Sequence, residues 1–382
     1  MIKQAVILAG GRGIRMMPYT ATTPKPMVKV NGQPFMEHLV EFLASQGIEE
    51  VVMLLGYLPE KVTEYFGDGS KFGVKIKYSI GGVDDFTGTR LRNAVKLLRD
   101  NFLLLYCDNY LPLNLEKLAA FHEARGVPAT VTVYTNKDGR TKNNIAVDKE
   151  GYVAKYDKTR TAQGLTGVDL GFFVLSKRIV GAMPAHNFWL EEETMPSLIA
   201  ARELAGFEVD HPYYSLSNPE RMLTLERFLS PKKVIFVEHE AVIGVDGSVS
   251  LPLIGALKGF QGRGYGIYLV ANGRKSSAEV VAGGNVLRGY ETKGEEELFS
   301  LHGVPLDGIY GCAHGENASC ECRMPRPGLF MEAARDHCLD LTKTLFWAGT
   351  EAGKVAGEAA GIPTALIKAG ENPLAAGLHH SS

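Results

Sequence analysis

The stretch Leu8-Ala9-Gly10-Gly11-Arg12-Gly13-Ile14-Arg15, followed by Thr23-Pro24-Lys25-Pro26, decides the fold. It comes directly after the apolar run Ala5-Val6-Ile7-Leu8, which reads as a buried strand, so the glycines fall where a strand ends and the backbone must turn. Three glycines within four residues leave backbone N–H groups open to phosphate oxygens, and Arg12, Arg15 and Lys25 bring positive charge. Taken alone, Gly-Gly-x-Gly fits an ordinary glycine-rich turn equally well.

Outward from this loop, strand-like and helix-like segments alternate. Helices are expected around Met36–Gln46, Glu60–Phe66, Arg90–Leu98 and Leu113–Ala124, between strands at Val51–Leu55, Val74–Tyr78, Phe102–Tyr106 and Ala129–Tyr134. That order predicts an α/β unit with a parallel sheet covered by helices on both faces, its ligands beyond the carboxyl ends of the strands. A hairpin over Asn144–Lys158, a strand at Asp169–Leu175 and a helical stretch through Met195–Leu204 complete a first domain, residues 1–229. Ser230-Pro231-Lys232-Lys233 then precedes a fresh buried strand, Val234-Ile235-Phe236-Val237, and opens a second α/β domain at 231–370. Its elements are expected at Gly266–Val270, Ser276–Gly284 (helix), Gly308–Tyr310, Pro327–His337 (helix), Thr344–Ala348, Gly353–Ala360 (helix) and Ala365–Ile367. Residues 371–382 read as a frayed tail.

Composition narrows the function classes. The chain has 382 residues, 45% of them apolar and 22% charged, with a net charge of -2 and no basic block, which argues against nucleic acid as the main partner. No apolar run approaches the roughly 18 residues of a membrane span, and no signal-peptide profile opens the chain, so the cytoplasm is the expected compartment.

The glycine stretch, Thr-Pro-Lys-Pro-Met-Val-Lys-Val and Pro34-Phe35-Met36-Glu37-His38, in that order, resemble the opening of the sugar-1-phosphate nucleotidyltransferases. The resemblance implies a Rossmann-like, GT-A-like mixed sheet flanked by helices. It also implies a nucleotide site at Leu8, Gly10, Gly11, Gly13, Thr87 and Gly88, with Arg15 and Lys25 neutralising charge as pyrophosphate leaves. Where the family usually has Thr, this chain has Ile14. Asp108, directly after Leu103-Leu104-Leu105-Tyr106-Cys107, stands where the family's Mg²⁺-binding Asp sits, a place where an Asp also serves as an ordinary helix cap. The family's second metal carboxylate is replaced by Ser217, for which Asp210 or Glu192 are candidate substitutes. Lys158 in Tyr156-Asp157-Lys158-Thr159 resembles the lysine that meets the sugar phosphate, and Asp169 and Glu191 match positions that grip sugar hydroxyls or ribose.

In the second domain, Cys312-Ala313-His314, five residues, then Cys320-Glu321-Cys322 offers three thiolates and an imidazole, a donor set suited to structural tetrahedral Zn²⁺. With Arg323-Met324-Pro325-Arg326-Pro327-Gly328 following, the region resembles the zinc loop of the heptose bisphosphate phosphatases, in the haloacid dehalogenase-like (HAD) superfamily. The superfamily's catalytic residues are replaced: Glu238 and Glu240 stand for its two Asp, Asn272 for a Thr or Ser, Met324 for a Lys, and Thr350 and Lys354 for the last acids. Such a domain has lost its chemistry and kept its scaffold. Together the resemblances imply transfer of a nucleotidyl group from an NTP, GTP favoured, to a sugar 1-phosphate, heptose 1-phosphate favoured, with Mg²⁺ as cofactor. Alternatives are mannose 1-phosphate or another hexose 1-phosphate as acceptor, a non-catalytic sugar-nucleotide sensor, and, ranked last, a bifunctional enzyme with a working phosphatase. Homo-oligomerisation is left open.

Overall fold

A computed structural model of the chain describes residues 2–137, 139–244, 247–273, 280–282, 285–287, 293–315, 318–367 and 371. It divides into two compact units, Met1–Leu229 and Ser230–Ser382.

The first unit is built on a seven-stranded sheet: β1 Gln4–Ala9, β2 Glu50–Leu55, β3 Lys75–Ile80, β4 Asn101–Tyr106, β5 Ala129–Tyr134, β6 Val168–Ser176 and β7 Leu204–Val209. The strand order is β7-β5-β6-β4-β1-β2-β3. β1 and β2 are buried along their whole length, which is why they read as continuous apolar runs and not as alternating ones. All pairings are parallel except those of β6, which runs antiparallel between β4 and β5 and makes the sheet mixed. The sheet is thus mixed, as the family resemblance implies, and the parallel sheet that alternation alone predicts fails at β6. That strand is entered through the hairpin Ile145–Val147 and Val153–Tyr156 and not through a crossover helix, so nothing forces it parallel.

The helices named below are α1 Phe35–Ser45, α2 Pro59–Phe66, α3 Thr87–Asn93, α4 Leu115–Arg125, α5 Met195–Ala200 and α6 Pro219–Leu229. One core of the unit joins Val6, Val52, Leu91, Phe102, Leu104, Val131, Phe173 and Leu198. The largest departures from the expected boundaries fall at α3, which ends at Asn93 and not at Leu98, and at α5. α3 begins three residues earlier than Arg90, and the stretch expected to be helical through Leu204 stops at Ala200, because Leu204 starts β7. Short ribbons matter more than their size suggests: Asn109–Tyr110 pairs with Tyr214–Ser215, which brings the chain around Ser217 back to the end of β4.

The second unit holds a five-stranded, wholly parallel sheet of β8 Val234–Glu238, β9 Gly266–Asn272, β10 Gly308–Cys312, β11 Leu345–Ala348 and β12 Thr364–Leu366, in the order β10-β9-β8-β11-β12. Helices α7 Leu251–Gly262, α8 Lys293–Leu301, α9 Gly328–His337 and α10 Glu351–Ala359 accompany it. Apolar clusters form from both faces of this sheet, one with Phe236, Phe330 and Phe346, the other with Leu257, Phe299 and Trp347. The helix expected over Ser276–Gly284 is corrected where it can be tested: Val280–Ala282 is a strand, paired antiparallel with Asn285–Leu287. The rest of that segment, and the tail apart from Glu371, lies outside the described residues.

Candidate active site

The site of the first unit is assembled at the carboxyl ends of β1, β2, β3 and β4. β1 delivers Leu8, buried, then Gly10 and Gly11, and Gly13 turns the chain with φ 65. The left-handed conformation favours glycine, and so does space: a Cβ on Gly13 would lie 2.8 Å from Lys25 Cβ. The Gly13 carbonyl accepts from Met16 N at 2.9 Å and from Thr20 Oγ1 at 2.9 Å, which fixes the turn. Arg15 follows on a single 3₁₀ turn and is exposed, and Arg12 lies over the Tyr57 ring at 5.7 Å.

Lys25 is 9% exposed and donates from Nζ to Asp108 Oδ2 at 2.7 Å. The structure thus joins the lysine after the glycine turn to the acid after β4. The Asp108 carbonyl accepts from Leu216 N at 2.8 Å, so Ser217 is held close to this pair by backbone geometry. Its hydroxyl shares a 2.9 Å hydrogen bond with Ser215. Both candidate substitutes for the missing carboxylate carry lysine partners. Asp210 follows β7, three strands from β4, and accepts from Thr135 and from Lys137 Nζ at 3.1 Å, while Glu192 accepts from Lys158.

A second cluster lies around α3 and the π-helical turn Leu190–Thr194. Thr87 Oγ1 donates to Glu191 Oε2 at 3.0 Å and accepts from Leu190 N at 3.0 Å; the Tyr106 hydroxyl donates to the other Glu191 oxygen. Gly88 donates its N–H to Phe188 O at 3.2 Å, and a Cβ there would overlap the Phe188 ring, so only glycine permits this approach. Asp169 sits at an irregularity of β6, where its Oδ1 accepts from Gly171 N at 2.8 Å. Burial pushes the Asp169 carboxyl up to about 7; the Gly171 N–H opposes this and the Glu191 charge adds to it. Burial also raises the Tyr106 and Tyr156 hydroxyls, with the charges of Glu191 and Asp169 contributing. Lys158 is directed to the same neighbourhood, its Nζ 3.0 Å from Glu192 and 4.2 Å from the centre of the Trp189 ring, which itself stacks on Phe86 at 4.4 Å.

Of the residues expected from sequence, Gly13, Lys25 and Asp108 come together, as do Thr87 with Glu191 and Lys158 with the turn beside Glu191. Tyr106, Tyr156 and Trp189 were not among them. The signal for Tyr106 was its place as the last residue of a buried strand before Asp108.

Three comparisons bear on this arrangement. A family profile described as "Nucleotidyl transferase" matches residues 4–162, within the first unit. A probable glucose-1-phosphate cytidylyltransferase of Bacillus subtilis is 31% identical over 226 residues, which span 53% of this chain and 87% of that protein. The chain belongs to the nucleotidyl transferase family. Mannose-1-phosphate guanyltransferase of Neurospora crassa and mannose-1-phosphate guanylyltransferase of Mycobacterium tuberculosis are 28% and 29% identical. The chain spans only about three-fifths of each, 62% and 61%, and 58% and 56% of this chain is covered. Among solved structures, HddC from Yersinia pseudotuberculosis superposes with a TM-score of 0.52 at 23% identity, covering 59% of this chain and 98% of that one, which supports the fold. The α/β, Rossmann-like mixed sheet with a separate second unit is thus the family's domain plus an additional one.

In the second unit, Cys312, His314, Cys320 and Cys322 present ligand atoms that all lie within 4.8 Å of one another. A Zn²⁺ ion with bonds of about 2.3 Å to sulfur and about 2.0 Å to nitrogen would place tetrahedral ligands roughly 3.5–3.8 Å apart. The separations are 3.7 Å for Cys312–Cys320, 3.4 Å for Cys312–Cys322, 3.6 Å for Cys312–His314 and 3.2 Å for His314–Cys322. The donor set therefore fits zinc. Arg323 donates to His314 O at 3.0 Å and braces the loop.

The Asp169 shift fixes a direction for stability. Folding raises this carboxyl above its ordinary 3.8, so its contribution is fully present below pH 4 and is lost as pH rises through about 7. Asp169→Asn is expected to flatten the decline in melting temperature between about pH 4 and 7; an unchanged slope by calorimetry would show that Asp169 titrates normally.

Proposed function

We propose that the first unit transfers a nucleotidyl group from an NTP to a sugar 1-phosphate, giving an NDP-sugar and pyrophosphate, with GTP as donor and a heptose 1-phosphate as acceptor. The observation that carries this reading is the 2.7 Å contact of Lys25 with Asp108 beside the left-handed turn at Gly13. An acceptor phosphate oxygen forms a bond to the α-phosphorus while the bond to the bridging oxygen of pyrophosphate breaks; no protein nucleophile is needed because the acceptor is already ionised. The amides around Gly10–Gly13 receive the triphosphate, and Lys25 and Arg15 neutralise the charge that gathers on the departing pyrophosphate. Mg²⁺ fits a site with a single carboxylate, since it keeps waters and substrate phosphates as ligands; Asp108 would hold it, with Ser217 nearby, and the ion would supply further charge neutralisation.

Lys158, Asp169 and Glu191 are assigned to the sugar phosphate and hydroxyls. Glu191 is 9% exposed and already bonded by Thr87 and Tyr106, so it offers fixed acceptor oxygens and not a mobile base. GTP is favoured by the mannose-1-phosphate guanylyltransferases among the relatives, and heptose by the resemblance of the second unit. A hexose 1-phosphate acceptor is the alternative. The serine at 217 favours one further reading, a sensor that binds sugar nucleotides without turnover.

We read the second unit as a HAD-like domain without phosphatase activity and with a structural zinc. Glu238, at the end of β8, is 1% exposed. Its oxygens accept from Gly349 N at 2.7 Å, Thr350 N at 2.9 Å and Thr350 Oγ1 at 2.7 Å, which leaves the carboxylate engaged where a phosphoryl acceptor would have to be open. Asn272 spends both ends of its amide on the backbone of Met324, at 2.9 and 2.8 Å, and Lys354 turns to Glu358 on its own helix.

Pyrophosphate release measured over a panel of NTPs and sugar 1-phosphates with Mg²⁺ tests the reading. Asp108→Ala and Lys25→Met are each expected to lower kcat about 100-fold or more, the scale for loss of one charge-stabilising group. Tight nucleotide binding with no turnover in the native protein would transfer the case to the sensor. For the second unit, metal analysis is expected to find about one zinc per chain, and Cys320→Ser is expected to lose it and to lower the melting temperature; a zinc-free protein of undiminished stability would refute the assignment.

A further inference from the structure

We infer that Arg90 is a positioning residue that sets the nucleotide loop before any nucleotide arrives, an inference that rests on the nucleotidyl-transfer reading of the first unit. Arg90 lies on α3, three residues after Thr87, and is 6% exposed. Its guanidinium reaches under the glycine loop and donates to four backbone carbonyls. Nη1 bonds Leu55 O at 2.9 Å, and Nη2 lies 3.3 Å from Gly10 O, 2.7 Å from Gly82 O and 3.0 Å from Val83 O. These carbonyls belong to the carboxyl ends of β2, β1 and β3, three adjacent strands. One planar fork thus ties the three ends that form the floor of the site.

Two glycines carry the imprint of this contact. A Cβ on Gly10 would overlap the guanidinium, and one on Gly56 would come within 2.5 Å of Nη1 and 2.7 Å of Gly10 O. Gly10 has no positive φ, so its backbone conformation is open to any residue; the requirement for glycine there comes from Arg90 beneath it. Burial pulls the Arg90 guanidinium below its usual range, and the charges of Asp85 and Asp84 oppose this. Asp85 also accepts from Gly82 N at 2.9 Å, so the cation, the loop after β3 and its acids form one unit. The function follows from placement. The Gly10 carbonyl that Arg90 grips also accepts from Tyr57 N at 3.1 Å, and the Leu55 carbonyl accepts from Gly81 N at 3.0 Å, so loss of the fork loosens both rims together. Preorganised amides bind a phosphate without the ordering cost that a loose loop would incur.

Full-length Arg90→Lys and Arg90→Met are the test. In nucleotide-free protein, hydrogen exchange at the Tyr57 and Gly81 amides is expected to quicken about tenfold or more, the scale for loss of hydrogen bonds from a charged donor. In steady state, KM for the NTP is expected to rise by a similar factor, with kcat within about threefold and KM for the sugar 1-phosphate unchanged. Arg90→Lys, which keeps the cation and removes the fork, keeps the test decisive should Arg90→Met fail to fold. Unaltered exchange in folded variants, or equal rises in both KM values, would overturn the assignment. A native protein that turns over no NTP would refute the transferase reading alone, because the exchange measurement still decides whether Arg90 holds the loop.

Discussion

A lysine that is nine-tenths buried can stay charged only if an anion meets it, and Asp108 does so at 2.7 Å. That pair joins the glycine loop to the end of β4. Lys25 sits in a short 3₁₀ turn whose approach to the glycine loop requires that Gly13 lack a side chain, and Asp108 stands at the end of a strand registered directly against β1, with Leu8 opposite Tyr106. The pair therefore fixes the separation between the loop and the neighbouring strand end. On the proposed reading it also stores a cation where an incoming triphosphate would compete for it, so that charge for the transition state would be in position beforehand.

The second unit uses the same topological position in the opposite way. Glu238 ends its central strand as Asp108 ends β4, yet its partners are N–H and O–H groups of its own chain at Gly349 and Thr350. Burial raises this carboxyl, and the three donors hold it back. A lysine can be drawn off an aspartate by an incoming phosphate; backbone amides at a helix start cannot be drawn off without unwinding the turn. An acid paired to a side-chain cation suits a site that exchanges ligands, and an acid paired to a helix start suits a brace. The four-ligand cluster at Cys312–Cys322 is consistent with the second unit being held together and not turned over.

Much of this was legible in the sequence, and for identifiable reasons. The glycine loop, Lys25 and Asp108 are marked by strand ends and glycine spacing, both local signals, and the Cys-His-Cys-Cys spacing is local too. The direction of β6 was not legible in the local pattern, because an antiparallel return through a hairpin leaves the same apolar run as a crossover; only the family resemblance implied a mixed sheet. Arg90 opened the helix expected over Arg90–Leu98 but carried no pattern; an arginine on a short helix reads as solvent-facing until the three strand ends it reaches are known. Asp210 misled for the same reason, since only strand order shows that it is three strands from Asp108. The π-helical turn that presents Glu191 has no sequence signature of its own.

The account stands on the glycine loop and the Lys25–Asp108 pair forming one triphosphate site. The most direct measurement is a crystal structure of the chain with a non-hydrolysable NTP analogue and Mg²⁺. It should show phosphate oxygens on the amides between Gly10 and Gly13, with Lys25 Nζ moved from Asp108 to a phosphate. An analogue bound elsewhere, or bound while the 2.7 Å Lys25–Asp108 contact persists unchanged, would contradict it.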